Sequence, residues 1–291
     1  MELIEAQSDL AQEDESSSGL SPICIEPTRG LLHLQLREIW KYRELLYFLI
    51  WRDIKIRYKQ TAIGAAWAIL QPLMTMAVFL FVFKIIADVP SDGLPYPLFA
   101  LSAIIPWNFF SGGLSRASLS VVAQGNLISK VYFPRLIIPI SATLSGIVDF
   151  GLSLLVLSGM MAWYGIVPTW GILALPLFLL LASLTALAVG LWLSALNVRY
   201  RDVGHTIPFL IQIWTFASPI AYPVSRIPER FRTFYGLNPM AGVIEGFRWA
   251  LLGNKSPDFG VMAISASVVI VLLLSGIVFF KRMERTFADM V

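Results

Sequence analysis

Residues that could carry covalent or metal chemistry are scarce in this chain. It has one cysteine, Cys24, and two histidines, His33 and His205. A lone cysteine excludes an intrachain disulfide, and three scattered ligands are too few for a metal centre built from His and Cys. No Gly-x-x-x-x-Gly-Lys-Ser/Thr phosphate loop is present, and the dipeptide Gly-Lys occurs nowhere, so the chain is not expected to hydrolyse ATP by itself. A Gly-x-Ser-x-Gly elbow and a His-Glu-x-x-His pair are also missing, which removes two common hydrolase designs. Charge is the largest deficit: 14% of residues are charged and 57% hydrophobic, against roughly 25% charged in a soluble domain. Such a chain folds in lipid.

A hydrocarbon layer of about 30 Å needs about 20 apolar residues per helix. Stretches free of Asp, Glu, Lys and Arg run from Thr61 to Phe83, Gly93 to Ser115, Phe150 to Val198, Val203 to Ser225 and Phe259 to Phe280. The third is too long for one span, and "YGIVPTWG" (Tyr164 to Gly171) supplies the Pro and Gly that divide it. The pattern predicts an all-α membrane protein of six helices, near 62–86, 95–122, 136–164, 170–196, 206–222 and 259–281. Lys and Arg collect in cytoplasmic loops. Here fifteen of the 22 fall in the segment up to Thr61, the loops holding Lys130, Arg135, Arg199 and Arg201, and the tail with Lys281, Arg282 and Arg285. Both termini are therefore expected in the cytoplasm.

Residues 1–30, with "AQEDESSSGLSP", are acidic and serine-rich and are expected to form a disordered tail with no cleaved signal peptide. Residues 34–60 follow, and residues 61–291 form the membrane domain. In "LQLREIWKYRELLYFLIWRDIKIRYKQ" (Leu34 to Gln60) apolar and aromatic residues recur at helical spacing between basic ones. An amphipathic helix in the cytoplasmic interface is expected, in contact with membrane lipid. Its last cations, Arg52, Lys55, Arg57 and Lys59, are candidates for receiving a phosphorylated lipid headgroup.

Residues 223–258 are too polar for a seventh span. They predict a short helix from Pro228 to Tyr235, a turn at Asn238-Pro239, and a second helix from Met240 to Leu252. That second helix has Met240, Val243, Ile244, Phe247 and Leu251 on one face and Glu245 and Arg248 elsewhere. A re-entrant pair is expected, since irregular backbone at membrane depth must be satisfied by protein or water. Charges within the spans are few: Lys84 near an end, Arg116 and Asp149. Asp149 could carry a proton in a coupled pump, but it lacks neighbouring acids, and a packing contact with Arg116 is the favoured expectation.

Five stretches then carry a resemblance: "RDIKIRYKQTAIGAAWAILQP" (Arg52 to Pro72), "ISKVYFPRLIIP" (Ile128 to Pro139), "ALNVRYRDV" (Ala195 to Val203), "SPIAYPVSRIP" (Ser218 to Pro228) and "GLNPMAGVIEGFRWALLG" (Gly236 to Gly253). In order and spacing the chain resembles, from about Leu34 onward, the permease subunit of bacterial ABC-2 type polysaccharide exporters, which move O antigen, capsule or teichoic acid. The resemblance implies a permease of the cytoplasmic (inner) membrane that exports an undecaprenyl-linked polysaccharide, O antigen first among the three. It implies a homodimer working with two copies of a separate cytoplasmic ATPase, with no cofactor or nucleic acid. It also implies that the segment from Gln124 to Arg135 docks into the ATPase. There Lys130 and Arg135 offer charge, Val131, Tyr132 and Phe133 offer apolar anchors, and Pro134 stops the segment. Aromatic rings that bind the flat faces of a sliding sugar polymer would come from Trp67, Trp107, Phe109, Phe110, Trp214, Phe216 and Tyr222. Arg199, Arg201 and Asp202 suit either a channel mouth or a second ATPase contact. A proton-coupled secondary transporter and a membrane enzyme acting on lipid-linked sugars are the readings from other classes. Both want clustered membrane acids, and the acids here are scattered.

Overall fold

A computed structural model describes residues 36–59, 64, 66–253, 258–284 and 287, and these contain helices and no strand. The acidic tail, Cys24 and His33 lie outside the described residues. Two helices, α1 (Leu36–Lys41) and α2 (Arg43–Lys59), occupy the predicted interface segment. Then come α3 (Ala66–Phe79), continued by a π-helical turn over Leu80–Ile86, and α4 (Tyr96–Ala123). A short α5 (Gly125–Lys130) leads to α6 (Ile137–Leu144) and α7 (Ile147–Trp163). A 3₁₀ turn over Trp170–Ala174 opens α8 (Leu175–Arg199), and α9 (Val203–Ala217), α10 (Glu229–Tyr235), α11 (Pro239–Leu252) and α12 (Phe259–Glu284) complete the order.

Five of these stretches are long and apolar enough to cross a membrane: Ala66–Ile86, Tyr96–Ala123, Ile137–Trp163, Trp170–Arg199 and Phe259–Glu284. They match the predicted spans to within a few residues. The span expected at 206–222 differs. It is the 15-residue helix α9, about 22 Å long at 1.5 Å per residue, short of the full hydrocarbon thickness. Ser218 and Pro219 stop it because Pro219 has no N–H to continue the ladder. The chain is then knitted back by Asn238, whose Nδ2 donates to Ala217 O (3.1 Å) and Ser218 Oγ (3.0 Å). The same side chain caps α11, accepting from the Met240 N–H at 3.1 Å with Pro239 at the first helical position. Gly253, at φ 63°, closes that helix in the left-handed conformation.

Helix α4 is the centre of the molecule and is buried along most of its length. It meets α8 closely: a Cβ on Gly190 would lie 2.7 Å from Ala117 Cβ, and one on Gly276 in α12 would lie 2.8 Å from Ala188 O. Small residues at such crossings let backbones approach, which is how apolar helices pack where no hydrophobic force separates them from lipid. Two buried clusters result. One joins the first half of α4 to α8 and α11 through Phe99, Phe110, Phe178 and Phe247. The other, at the opposite end of α4, joins Leu49 of α2 to Val121, Phe133, Ile137, Leu191 and Phe280.

Two local readings need correction. The expected one-faced packing of α11 does not hold, because protein surrounds that helix and Arg248 is only 7% exposed. Its guanidinium lies over the Phe99 ring at 3.7 Å and donates to Ile220 O at 2.8 Å, so a charged residue absent from the apolar stripe is nevertheless interior. Helix α2 is not simply two-faced either. Leu45, Leu46 and Leu49 pack on the second cluster, while Tyr47, Phe48, Trp51 and Ile56 remain exposed.

Candidate functional site

The third span is broken between α6 and α7 at Ser145-Gly146, a Ser/Gly pair of the kind that interrupts helices. The Gly146 N–H turns to Thr143 O (3.5 Å). Ala142 O instead accepts from Ser145 Oγ (2.9 Å) and from Arg116 Nε of α4 (3.0 Å). That is the only hydrogen bond Arg116 makes among the described residues, so both terminal nitrogens are left over. The fork has room because its neighbours are glycines: a Cβ on Gly112 would meet Arg116 Nη1 at 3.0 Å, and one on Gly146 would meet Nη2 at 2.5 Å.

Beside this fork is a cavity of about 650 Å³, walled by the end of α2 and by α3, α4 and α7. Arg57 and Tyr58 of α2 reach in and both bind the Asp149 carboxylate, Arg57 as an ion pair on Oδ2 and Tyr58 by its hydroxyl on Oδ1. Arg57 Nη2 also donates to Ser145 Oγ at 3.2 Å. Burial, and then the hydrogen bond to Asp149, push the Tyr58 hydroxyl up to about 12; both favour the neutral phenol. Gln71, Asn108 and Ser111 add neutral polar groups, and Trp67, Phe109 and Phe150 form an aromatic wall. Phe109 and Phe150 meet edge to face at 5.7 Å.

The expected Asp149–Arg116 contact is thus replaced. Asp149 is held by Arg57 and Tyr58, and Arg116 by a freed backbone carbonyl. A partner 92 residues away in the chain cannot be read from the neighbours of Asp149. The pair ties α2 to a membrane span.

The chain matches the family model described as "ABC-2 type transporter" over residues 44–252. It belongs to the ABC-2 type transporter family. As an ABC-2 protein with five apolar spans it is a multi-pass protein of the cytoplasmic (inner) membrane. It is 29% identical over 258 residues to the O-antigen export system permease protein RfbA of Myxococcus xanthus, covering 87% of this chain and 98% of that one. A Klebsiella pneumoniae protein of the same name is 27% identical over 84% of this chain and 94% of its own length. The polysialic acid transport protein KpsM of Escherichia coli is 23% identical over 81% and 92%.

In this ABC-2 chain the other predicted site residues separate by environment. Of the basic quartet only Arg57 enters the cavity. Arg52 pairs with Asp53 at 2.8 Å, while Lys55 and Lys59 are exposed. Positions 52, 55 and 59 share one side of the helix and 57 lies well round from them, as 100° per residue requires. In the predicted docking segment Lys130, Val131 and Tyr132 are exposed, Tyr132 by 72%, whereas Phe133 is 4% exposed in the second cluster. Phe133 and the buried Pro134 anchor the segment, and Arg135 donates to the Glu284 carbonyl of α12. Arg199 lies over the Tyr200 ring at 5.4 Å, and Arg201 and Asp202 are exposed.

The aromatic set divides as well. Trp67, 56% exposed, and Phe109 line the cavity. Trp107 and Phe110 are core, with ring centroids 5.3 Å apart, and Phe110 meets Trp214 at 4.9 Å. Trp214 donates to Asn238 at 2.9 Å, Tyr222 shares a 2.8 Å hydrogen bond with Tyr235, and Phe216 is exposed. Sequence reasoning missed Gln71, Asn108, Gly112 and Gly146. The two polar residues within apolar runs and the Ser-Gly pair were the available signals.

Proposed function

We propose that the chain is the membrane permease of an ABC exporter that carries a lipid-linked surface polysaccharide, O antigen first, out across the cytoplasmic membrane. The observation that carries this reading is the near end-to-end match to O-antigen permeases, reaching 98% of one of them. The power comes from a separate ATPase subunit, consistent with a sequence that contains no phosphate loop. Two permeases and two ATPases form the working unit. The termini, the basic α2 and the 124–135 segment face the cytoplasm, as the distribution of Lys and Arg supports. The exposed Lys130, Val131 and Tyr132 meet the ATPase. Helices α10 and α11 re-enter from the far side, which the burial of α11 supports.

The cavity suits a proton relay poorly, because Asp149 is engaged by a cation and a phenol with no second acid among the described residues that line the space. Export of a capsular polymer is the second reading, favoured by the 23% identity to KpsM. The test is reconstitution in proteoliposomes with and without the cognate ATPase. ATP-dependent movement of a lipid-linked glycan is expected only with both proteins. Glycan movement by the lone chain, or none with the pair, refutes the proposal.

A further inference from the structure

We propose that the cavity beside Arg116 is a receptor for a phosphate-bearing headgroup, and that Asp149 acts as its resident competitor. This deepens the reading of the chain as a permease for a lipid-linked substrate and rests on it for the origin of the ligand. Three observations point there. First, the Arg116 fork is built in. Its Nε is fixed on Ala142 O at 3.0 Å, Gly112 and Gly146 clear the space around it, and its two terminal nitrogens remain available for an acceptor. A planar pair of N–H donors matches a phosphate edge better than any other common anion site on a side chain.

Second, among the described residues the walls carry two guanidinium groups, Arg57 and Arg116, against one carboxylate, Asp149. An anion entering the cavity therefore meets an excess of positive charge, with Asn108 and Gln71 able to donate further hydrogen bonds. Third, Asp149 already occupies the place an anion would take on Arg57 and Tyr58. A phosphate spanning the two arginines must displace the carboxylate from part of this contact, so ligand entry and release of α2 from α7 are coupled. Asp149 then offsets part of the positive charge of the empty site and lowers its affinity, which suits a substrate that must leave again.

The two roles predict opposite effects from two substitutions, and no purely structural role does so. The full-length chain is placed in phosphatidylcholine nanodiscs without ATPase, and bound ligand is measured by native mass spectrometry. One arm adds a polyprenyl phosphate to the lipid and the other adds inorganic pyrophosphate to the buffer. Arg116→Gln is expected to weaken binding about 10- to 100-fold, from the loss of charge-assisted bonds, and Arg116→Lys to give an intermediate loss because the point charge stays and the fork goes. Asp149→Asn is expected to strengthen binding about 3- to 10-fold by freeing Arg57 and Tyr58.

This pattern with the lipid alone identifies a lipid headgroup, and the pattern with pyrophosphate alone identifies a free phosphate; either supports the site. Unchanged affinity in Arg116→Lys, weaker binding in Asp149→Asn, or no binding in both arms overturns it. If Arg116→Gln does not fold, the lysine and asparagine variants decide. Because nothing in the assay requires transport, loss of the phosphate site leaves the export proposal standing, and failed export leaves the site standing.

Discussion

Replacing Asp149 with Ala should loosen the end of α2 from α7, and the structure sets the scale of the effect. The Arg57 and Asp149 side chains are 28% and 32% exposed, between the surface pairs that contribute about 0–1 kcal/mol and the interior pairs whose breakage costs about 3–5 kcal/mol. Asp149 also loses the Tyr58 hydroxyl, so a loss of about 1–3 kcal/mol is expected. A double-mutant cycle with Arg57→Gln isolates the pair, with an expected coupling of about 1–2 kcal/mol. Denaturant unfolding in detergent micelles reads the energies. Limited trypsin digestion reads the local effect, since Lys55 and Lys59 on α2 should be cut faster in both single variants. Additive energies within about 0.3 kcal/mol, with unaltered digestion, would refute the reasoning that this contact holds α2 in place.

Four further outcomes are expected. Val131→Ser together with Tyr132→Ser should abolish co-purification of the ATPase while leaving the melting temperature of the permease within a degree or two. Phe133→Ala, by contrast, empties a buried position and should cost about 3–5 kcal/mol of stability. Gly190→Leu drives a side chain into Ala117 across the α4–α8 crossing and should destabilise by at least about 1–3 kcal/mol in the same unfolding assay. Alkali supplies the last. Tyr58 ionises near 10 when unfolded and at about 12 in the fold, so its contribution is fully present below pH 10 and is lost as pH rises through about 12. Tyr58→Phe should flatten that part of the stability profile, measured by unfolding between pH 9 and 12.5.

The spans were legible because lipid imposes a length and a composition that any sequence must satisfy. The helix starts followed from local chemistry, as with Asn238-Pro239 before α11. The site was less so. Arg116 and Asp149 stood out as charges in apolar runs, yet the partners each met, a backbone carbonyl for Arg116 and Arg57 with Tyr58 for Asp149, depended on the break in the third span and on the end of α2 reaching α7. Aromatic residues were the hardest to assign. In a helix apolar all round, such as α4, no polar stripe marks the outside, so Trp107 and Phe110 in the core could not be told from Phe109 at the cavity. Phe133 was misleading for a related reason: only tertiary packing separates this buried ring from its exposed neighbours Val131 and Tyr132.

The interruption at Ser145-Gly146 gives the third span a joint between two short rods. One rod, α6, packs on α2 and α4, and the other, α7, rests on the aromatic interior around Phe150. A tug on the α6 end can therefore tilt that rod without uprooting α7, in the manner of an elbow. Backbone amide exchange should find the two rods opening independently.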